Sequence, residues 1–491
     1  MADDPQAPAG FLGRFTVLKG AARELWLVFA IKLLGIAAYA VTNSTLVLWL
    51  SSDMGYSDQK ALGLVAAWSA LMTAMTVLVG SLTDAIGFRR TFFLGAWICV
   101  VARAVLAFSN LKWLALVGGL IPLAVGEAFG TPVLVAAVRR YSNTRQRSIS
   151  FSLFYTMMNF GFLLAAYVFD FVRQGLGEHG HLTLPLLGLK LTTYQTLFLA
   201  TTVIEACILP ILYFLRDGVE ATDEGLVISP RPTRYPQEHL WNSLRLTVRD
   251  SVGEAVRLFT GLLRQAGFYR LLAFLLLIAF LKLIFMQMYF VYPKFGIRVL
   301  GDGAPIGRLW GINSILIILL VPCVGALTQR FSAYRMVTLG GAISAASVFI
   351  MALPTVWFEP FANGPVGDWL GHWYLGLRGS VNPYYVMIAV FVVLLSVGEA
   401  FYSPRVYEYA AAIAPKGQEA SYGALSYVPF LLAKLLIGTF SGMLLVRYCP
   451  EHGARHPGTL WLILALTATI APVGLIALRG YIRIHEAGRE D

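Results

Sequence analysis

Apolar runs of roughly 20 residues recur along the whole chain, and short polar segments separate them. A helix of that length crosses the hydrocarbon core of a bilayer, so each run is a candidate membrane span. The runs are continuous rather than alternating, which excludes a transmembrane β-barrel. The pattern predicts an all-α membrane protein.

Twelve spans in two sets of six fit this pattern. The first set comprises helix 1 (about 24–50), helix 2 (about 60–83), helix 3 (about 91–108), helix 4 (about 112–138), helix 5 (about 148–171) and helix 6 (about 192–215). The second set comprises helix 7 (about 269–292), helix 8 (about 305–328), helix 9 (about 334–355), helix 10 (about 384–412), helix 11 (about 419–446) and helix 12 (about 458–479). The predicted domains are a tail at 1–22, a six-helix bundle at 23–215, a linker at 216–268, a second six-helix bundle at 269–480 and a tail at 481–491.

The linker at 216–268 opens with an acidic, proline-rich part and continues with apolar and basic residues at helical spacing. The second part predicts a helix that lies on the membrane surface. We interpret the linker as a tether between the two bundles rather than as a regulatory domain.

Composition and charge support this architecture and orient it. Of the 491 residues, 57% are hydrophobic and 13% are charged, about half the charged fraction of a soluble domain. The net charge of +11 lies mostly in short loops on one side, so it does not indicate nucleic-acid binding. The positive-inside rule places both termini and the linker in the cytoplasm, with the plasma membrane as the default location. The loop residues that decide this are Arg89, Arg90, Arg139, Arg140, Arg145, Arg147, Arg330, Arg335 and Lys416.

The sequence shows no chemistry typical of an enzyme. Its four cysteines form no disulfide framework or metal-ligand pattern, and no phosphate-binding loop or catalytic triad is present. We therefore expect neither catalysis, nor an ATP-driven pump, nor a cofactor or metal ion.

Two segments of the chain are repeated in the same order in both halves. V-G-E-A-F-G-T-P at 125–132 returns as V-G-E-A-F-Y-S-P at 397–404, and G-S-L-T-D-A-I-G-F-R-R from Gly80 returns as G-A-L-T-Q-R-F-S-A-Y-R from Gly325. The repeats indicate a duplicated membrane unit. Each copy of the first segment places a glutamate, Glu127 or Glu399, inside an apolar helix. A carboxylate at bilayer depth is costly and marks a functional site by default.

The repeated loop resembles a motif of the major facilitator superfamily, G-x-x-x-D-x-x-G-x-R-R between helices 2 and 3. The matching residues are Gly80, Asp84, Gly87, Arg89 and Arg90. With two six-helix halves and a linker, the resemblance covers the whole chain. It implies a conformational latch, because the aspartate can accept hydrogen bonds from a helix N-terminus and pair with arginine.

Further segments resemble the proton-coupled oligopeptide transporter group within that superfamily. Helix 5 reads F-Y-T-M-M-N-F-G, which matches F-Y-x-x-x-N-x-G and implies substrate contacts at Tyr155 and Asn159. Helix 10 reads G-E-A-F-Y-S-P, which resembles G-E-L-x-x-S-P. Helix 1 departs from the group, since K-L-L-G-I-A-A-Y-A stands where the group has E-x-x-E-R-F-x-Y-Y. The usual acids and arginine of helix 1 are absent, and Lys32 replaces the first acid.

The superfamily resemblance implies that helices 1, 4, 7 and 10 line a central cavity. Those helices carry Lys32, Glu127, Lys282 and Glu399, and helix 11 adds Lys434. One interpretation is fixed ion pairing within each half, and the other is proton coupling at the two glutamates, which we favour. For Arg103 on helix 3 and Glu205 on helix 6, which lie outside the cavity ring, we favour fixed ion pairing.

Several polar residues are candidates for substrate contact, and two prolines are candidates for hinges in the helices. The candidates for substrate binding are Tyr39, Asn43, Tyr155, Asn159, Gln287 and Arg405. Arg405 is also placed to pair with Glu408, three residues further along helix 10. Pro132 and Pro404 each permit a kink and are candidate hinges.

Together these features predict a secondary active transporter that works by alternating access. The favoured mode is proton-coupled symport of a small polar solute, a peptide or an amino-acid-like zwitterion, since each end of a zwitterion finds an opposite charge. The alternatives are an organic-anion carrier or exchanger, a drug/proton antiporter, and a non-transporting receptor or partner protein. The expected partners are the substrate, the proton and the lipid bilayer. We expect the chain to be a monomer, and the sequence does not exclude an accessory subunit.

Overall fold

The computed structural model describes residues 18–86, 88–185, 188–216, 218–228, 264–328, 331–413 and 427–483, with isolated positions between 242 and 261. Most of these residues are helical. The surface helix predicted in the linker and the outer parts of both tails lie outside the described residues.

All twelve predicted helices are found in the described ranges, and the predicted start of helix 11 at 419–426 lies outside them. In the first half they are Arg23–Ser52, Asp58–Ile86, Phe88–Phe108, helix 4 in several pieces, Thr144–Leu176, and helix 6 as Thr193–Ala206 and Ile208–Tyr213. In the second half they are helix 7 as Ala266–Phe290 and Tyr292–Leu300, then Ile306–Leu327, Ala333–Ile350, Pro383–Ile413, Tyr427–Tyr448, and helix 12 as Pro457–Ala477 and Arg479–Ile482. Among the described residues, ten helices are long and apolar enough to cross a membrane. Helices 2 and 11 complete the set of twelve.

Helix 4 is the most interrupted of these elements. It comprises Lys112–Leu114, a π-helical stretch Ala115–Leu120, Ile121–Ala128 and Thr131–Arg140. The last piece begins with Pro132 in its first turn, where the missing N–H costs no hydrogen bond. Helix 10, by contrast, continues through Pro404 from Pro383 to Ile413. The two prolines therefore differ in local structure, and their role as hinges stays a prediction.

Two β-hairpins interrupt the helical pattern where the sequence predicted only polar segments. Strands β1 (His181–Leu184) and β2 (Leu189–Thr192) pair antiparallel between helices 5 and 6. Strands β3 (Val219–Thr222) and β4 (Gly225–Ile228) pair antiparallel at the start of the linker. Gly225 adopts a φ of 133°, a conformation that side chains disfavour. Strands of four residues are too short to give a clear alternating pattern.

The repeated glycine before each glutamate allows a close helix–helix approach. Gly126 packs on helix 3, where a Cβ in its place would lie 2.7 Å from the Cys99 sulfur. Gly398 packs on helix 9, where a Cβ would overlap Gly340 and Ser344. Counted from Gly80 and from Gly325, Cys99 and Ser344 are equivalent positions. Small residues at such contacts are how membrane helices pack tightly, so each copy of the motif makes a close contact with the helix before it.

The chain forms two compact units. Unit 1 comprises Met1–Ala40, Ala74–Phe162 and Phe198–Glu254. Unit 2 comprises Val41–Thr73, Leu163–Leu197 and Ala255–Asp491. Parts of helices 1, 2, 5 and 6 thus belong to the unit that contains the second set of six helices. The sequence predicts that the first six-helix bundle ends at 215 and that the second begins at 269. These two boundaries stay a prediction.

Candidate functional site

A buried cluster in unit 1 contains two glutamates of apolar helices and one arginine. Arg103, whose side chain is 0% exposed, donates to Glu127 and to Glu205, the latter at 3.0 Å. The Glu127 and Glu205 side chains are only 12% and 9% exposed. We call these three residues the Arg103 triad. The fixed pairing expected for Arg103 and Glu205 is present, and Glu127 shares it.

Local sequence explains why the triad forms. Gly126 brings helix 4 against Cys99, and Arg103 follows one turn later on the same face of helix 3. Lys32 is buried on helix 1, with its ammonium 4.7 Å from the centre of the Phe154 ring and within electrostatic range of Glu127. The cluster thus contains two acidic and two basic side chains. The side chain bonded to Glu127 is Arg103 rather than Lys32.

The second copy of the motif has a different environment, in unit 2. Asn313 on helix 8 donates to Glu399 at 3.0 Å and to the Ser396 hydroxyl at 3.0 Å. Lys282 on helix 7 is within electrostatic range of Glu399, and its ammonium lies 5.3 Å from the Tyr402 ring centre. We call Glu399, Asn313 and Lys282 the Glu399 group.

The two glutamates are therefore held by different chemistry. A guanidinium is bonded directly to Glu127, whereas among the described side chains no cation lies within 4.0 Å of Glu399. Counted from the equivalent Gly80 and Gly325, Arg103 on helix 3 corresponds to Val348 on helix 9, which is also buried. Protonation of Glu127 breaks an ion pair, whereas protonation of Glu399 leaves its hydrogen bond from a neutral amide possible.

The remaining lysine of the predicted site, Lys434, contacts helix 2. Its ammonium donates to the Thr73 hydroxyl at 2.7 Å and reaches the Ser69 carbonyl at 3.5 Å. Both acceptors are neutral. Lys434 therefore differs from Lys32 and Lys282, which each have a glutamate within electrostatic range.

Other predicted substrate contacts have protein partners in this structure. The Asn159 amide donates to the Tyr155 carbonyl at 3.0 Å on its own helix. Gln287 accepts from the Ser441 hydroxyl at 2.8 Å. Arg405 donates to Thr328, at 3.2 Å to the carbonyl and 3.1 Å to the hydroxyl, at the end of helix 8. Tyr39, Asn43 and Tyr155 each have polar or ring contacts as well. Substrate contact by this set stays a prediction.

The predicted latch is only partly visible. Gly87 and the side chain of Asp84 lie outside what the structure describes, as does the side chain of Glu408, the alternative partner of Arg405. Arg89 donates to the Tyr213 carbonyl at 3.1 Å, and Arg90 is exposed. The latch stays a prediction.

Two aspartates that the sequence analysis did not select join first-half helices to second-half helices inside unit 2. Asp170 on helix 5 accepts the backbone N–H groups of Gly307 at 2.9 Å and Arg308 at 2.6 Å, at the start of helix 8. Asp58 on helix 2 pairs with Lys294 at 3.3 Å and Arg298 at 2.5 Å. Their partners are more than 130 residues distant in sequence, and only the i,i+3 spacing of Asp170 and Arg173 gave a local signal.

No metal site accompanies these clusters in the described part of the chain, where no three His, Cys, Asp or Glu side chains are grouped to hold an ion. The candidate site is built from buried charges and amides alone.

Comparison with known proteins identifies the family and the fold of this chain. Residues 28–377 match the model of the Major Facilitator Superfamily. A solved structure described as a POT family transporter in complex with 5-aminolevulinic acid is 15% identical, with a TM-score of 0.68, over 97% of this chain and 99% of that one. A bacterial homologue of the human drug peptide transporters PepT1 and PepT2 is 18% identical, with a TM-score of 0.66, over 94% and 98%.

Curated relatives match over shorter segments. Dipeptide and tripeptide permease A of Proteus mirabilis (strain HI4320) is 25% identical over 173 residues, which are 35% of this chain and 36% of the permease. Methyl viologen resistance protein SmvA of Salmonella typhimurium (strain 14028s / SGSC 2262) is 33% identical over 91 residues, 18% of each chain. The chain therefore covers about a third or less of the length of these relatives.

Proposed function

The chain belongs to the major facilitator superfamily, and on that premise we propose that it performs proton-coupled symport of small peptides or amino-acid-like zwitterions. The relatives and solved structures whose names refer to peptide transport support the substrate class. We further propose that it works as a monomer in the plasma membrane with both termini in the cytoplasm, as the distribution of Lys and Arg favours.

The observation that carries the proposal is the environment of Glu399. It is a buried carboxylate that accepts from Asn313 and has Lys282 in electrostatic range, without a directly bonded cation among the described residues. Burial disfavours an ionised carboxylate, and a nearby lysine favours it. When the protein opens and closes around this group, both effects change. Glu399 then gains a proton in one state and loses it in the other, which is what coupling requires.

Glu127 has a different role in this mechanism. Its bond to Arg103, which also binds Glu205, holds the carboxylate in place. We assign the Arg103 triad to the rigidity of the first-half helices and assign the proton to Glu399.

The test is uptake of a labelled dipeptide into proteoliposomes, with and without an imposed inward proton gradient. The wild-type protein should concentrate the dipeptide only with the gradient. Glu399→Gln should still exchange dipeptide across the membrane but lose gradient-driven accumulation. The matched control is Glu127→Gln, which changes the equivalent residue of the other half. Accumulation by Glu399→Gln at the wild-type level would refute the role of Glu399.

A second candidate is an organic-anion exchanger, which the neutral surroundings of Lys434 favour. Under this alternative, preloaded anions drive counterflow without a proton gradient, and Glu399→Gln leaves transport intact. The same vesicles distinguish the two functions when the dipeptide is replaced by small carboxylates.

A further inference from the structure

The segment between helices 9 and 10 exposes a surface rich in aromatic side chains. It folds as four short helical pieces, which are Thr355–Phe358, Glu359–Ala362, Pro365–Gly367 and the π-helical Asp368–Tyr374. Six of its large apolar side chains are each more than half exposed, namely Val356, Trp357, Phe361, Val366, Trp369 and Trp373. Exposed apolar residues clustered in this way mark an interaction site. We call these six residues the apolar face.

The segment carries polar and aromatic side chains in neighbouring stripes. Trp369 and Trp373 stack with their ring centres 5.8 Å apart. Asp368 and His372, each one residue earlier, are exposed and approach to 3.5 Å. Such a division is typical of a helix that lies in the plane of a membrane interface. Residues 355–374 contain no Lys or Arg, so attraction to anionic lipid headgroups does not contribute.

The other side of the segment is held against the protein. Leu370 is buried, and a Cβ at Gly371 would lie 2.4 Å from the Val381 side chain, just before helix 10. The Tyr374 hydroxyl donates to the Arg308 carbonyl of helix 8 at 2.9 Å. These contacts fix the orientation of the segment, so the apolar face points away from the helices.

The length of helix 9 places the segment at the boundary of the membrane. Helix 9, Ala333–Ile350, has 18 residues, which is about 27 Å of helix against a hydrocarbon core of about 30 Å. Thr355 follows five residues later, and an extended chain advances at most about 3.6 Å per residue. The segment therefore begins within about 18 Å of the end of the span, near the depth of the lipid headgroups, where tryptophan is enriched.

We propose that the apolar face is a docking surface for the phospholipid bilayer, seated between the headgroups and the acyl chains of one leaflet. That leaflet lies opposite the loop between helices 8 and 9, and under the proposed orientation it is the outer one. The occupant is lipid rather than a second copy of this chain, because helix 9 holds the face at a depth where lipid is always present. The exposed apolar surface continues on helix 10 with Val390, Val393 and Leu394.

The experiment measures tryptophan emission after reconstitution into phosphatidylcholine vesicles. The acyl chains are brominated either near the headgroup or near the chain end, because bromine quenches the indole rings that it contacts. The emission of Trp369 and Trp373 is the difference between the wild-type protein and the double variant Trp369→Phe, Trp373→Phe. This emission should be lost mainly in the lipid brominated near the headgroup, and it should resist iodide added to the water.

Two matched variants calibrate the depth. Trp97 lies near the middle of helix 3 and is 54% exposed, so the emission that Trp97→Phe removes should be quenched mainly by bromine near the chain end. Trp461 is 1% exposed, so the emission that Trp461→Phe removes should be quenched by neither lipid.

The other outcomes overturn the proposal. Quenching of Trp369 and Trp373 by iodide instead of bromine would place the apolar face in water. Emission that resists both quenchers would show that protein covers the face, as in a dimer. If the double variant fails to fold, Trp357→Phe reports on the same face from a different helical piece. No arm of the experiment depends on transport, so this proposal and the proposed function can fail separately.

Discussion

Replacing Arg103 with methionine tests whether the triad is a fixed structural element. Methionine has an unbranched side chain like the stem of arginine, but it lacks the guanidinium that bonds to Glu127 and Glu205. Four charges then become three, with Lys32 as the cation near Glu127. One negative charge is left buried without a partner.

The magnitude follows from this charge count. Removing one partner of a buried ion pair typically costs about 3–5 kcal/mol, because the remaining charge is stranded. Arg103→Met should lower the free energy of unfolding by about that amount. The double variant Arg103→Met, Glu205→Gln restores one cation to one anion, so it should be more stable than the single variant despite carrying a second change.

The assay is denaturant-induced unfolding in detergent micelles, followed by tryptophan fluorescence. The control is Arg378→Met at an exposed loop position, which should change stability by less than about 0.5 kcal/mol. If Arg103→Met is as stable as that control, or if Glu205→Gln gives no rescue, the triad does not hold the helices as described.

Three further results are expected. Asp170→Ala should speed hydrogen–deuterium exchange in a peptide covering 306–310, because the N–H groups of Gly307 and Arg308 lose their acceptor; unchanged exchange would show that this junction is not held by Asp170. Gly126→Val should lower the thermal unfolding temperature more than Gly63→Val, because a Cβ at 126 meets the Cys99 sulfur at 2.7 Å while one at 63 meets nothing within 4 Å; equal effects would contradict the close packing. Burial raises the pKa of Asp53 despite the Thr192 hydroxyl and the nearby His179 and His181. Its stabilising contribution is thus complete below the unfolded-state pKa of about 4 and is lost as the pH rises through the higher folded-state pKa. Asp53→Asn should therefore gain stability relative to wild type as the pH rises above about 4 and through the folded-state pKa of Asp53, and a parallel pair of stability–pH curves would refute this.

The helices were predictable because the bilayer imposes a single rule. Backbone polar groups cannot remain unsatisfied in hydrocarbon, so each long apolar run has to be a helix. The same rule gives no information about segments outside the membrane. The β1–β2 and β3–β4 hairpins were missed for that reason.

The partners of the embedded charges were less accessible from the sequence. Glu127 and Glu399 stand out as acids in apolar runs, yet nothing local distinguishes a bond to Arg103 from proximity to Lys32. The partner of Asp170 is a helix N-terminus 137 residues away, and no pattern in the sequence marks a backbone N–H as a partner. Contacts of this kind depend on tertiary packing alone.

Val348, at the position equivalent to Arg103, makes the two halves of this duplicated chain chemically different. In one copy of the V-G-E-A-F segment the acid is bonded to Arg103, and in the other the equivalent position offers only a hydrocarbon. A single exchange between arginine and valine therefore makes the surroundings of the two acids unequal. Under the proposed coupling, the first-half acid stays paired and the second-half acid responds to the proton. If the proposed coupling holds, the difference between these two equivalent helices, more than any one residue, is what makes the chain respond to a proton gradient.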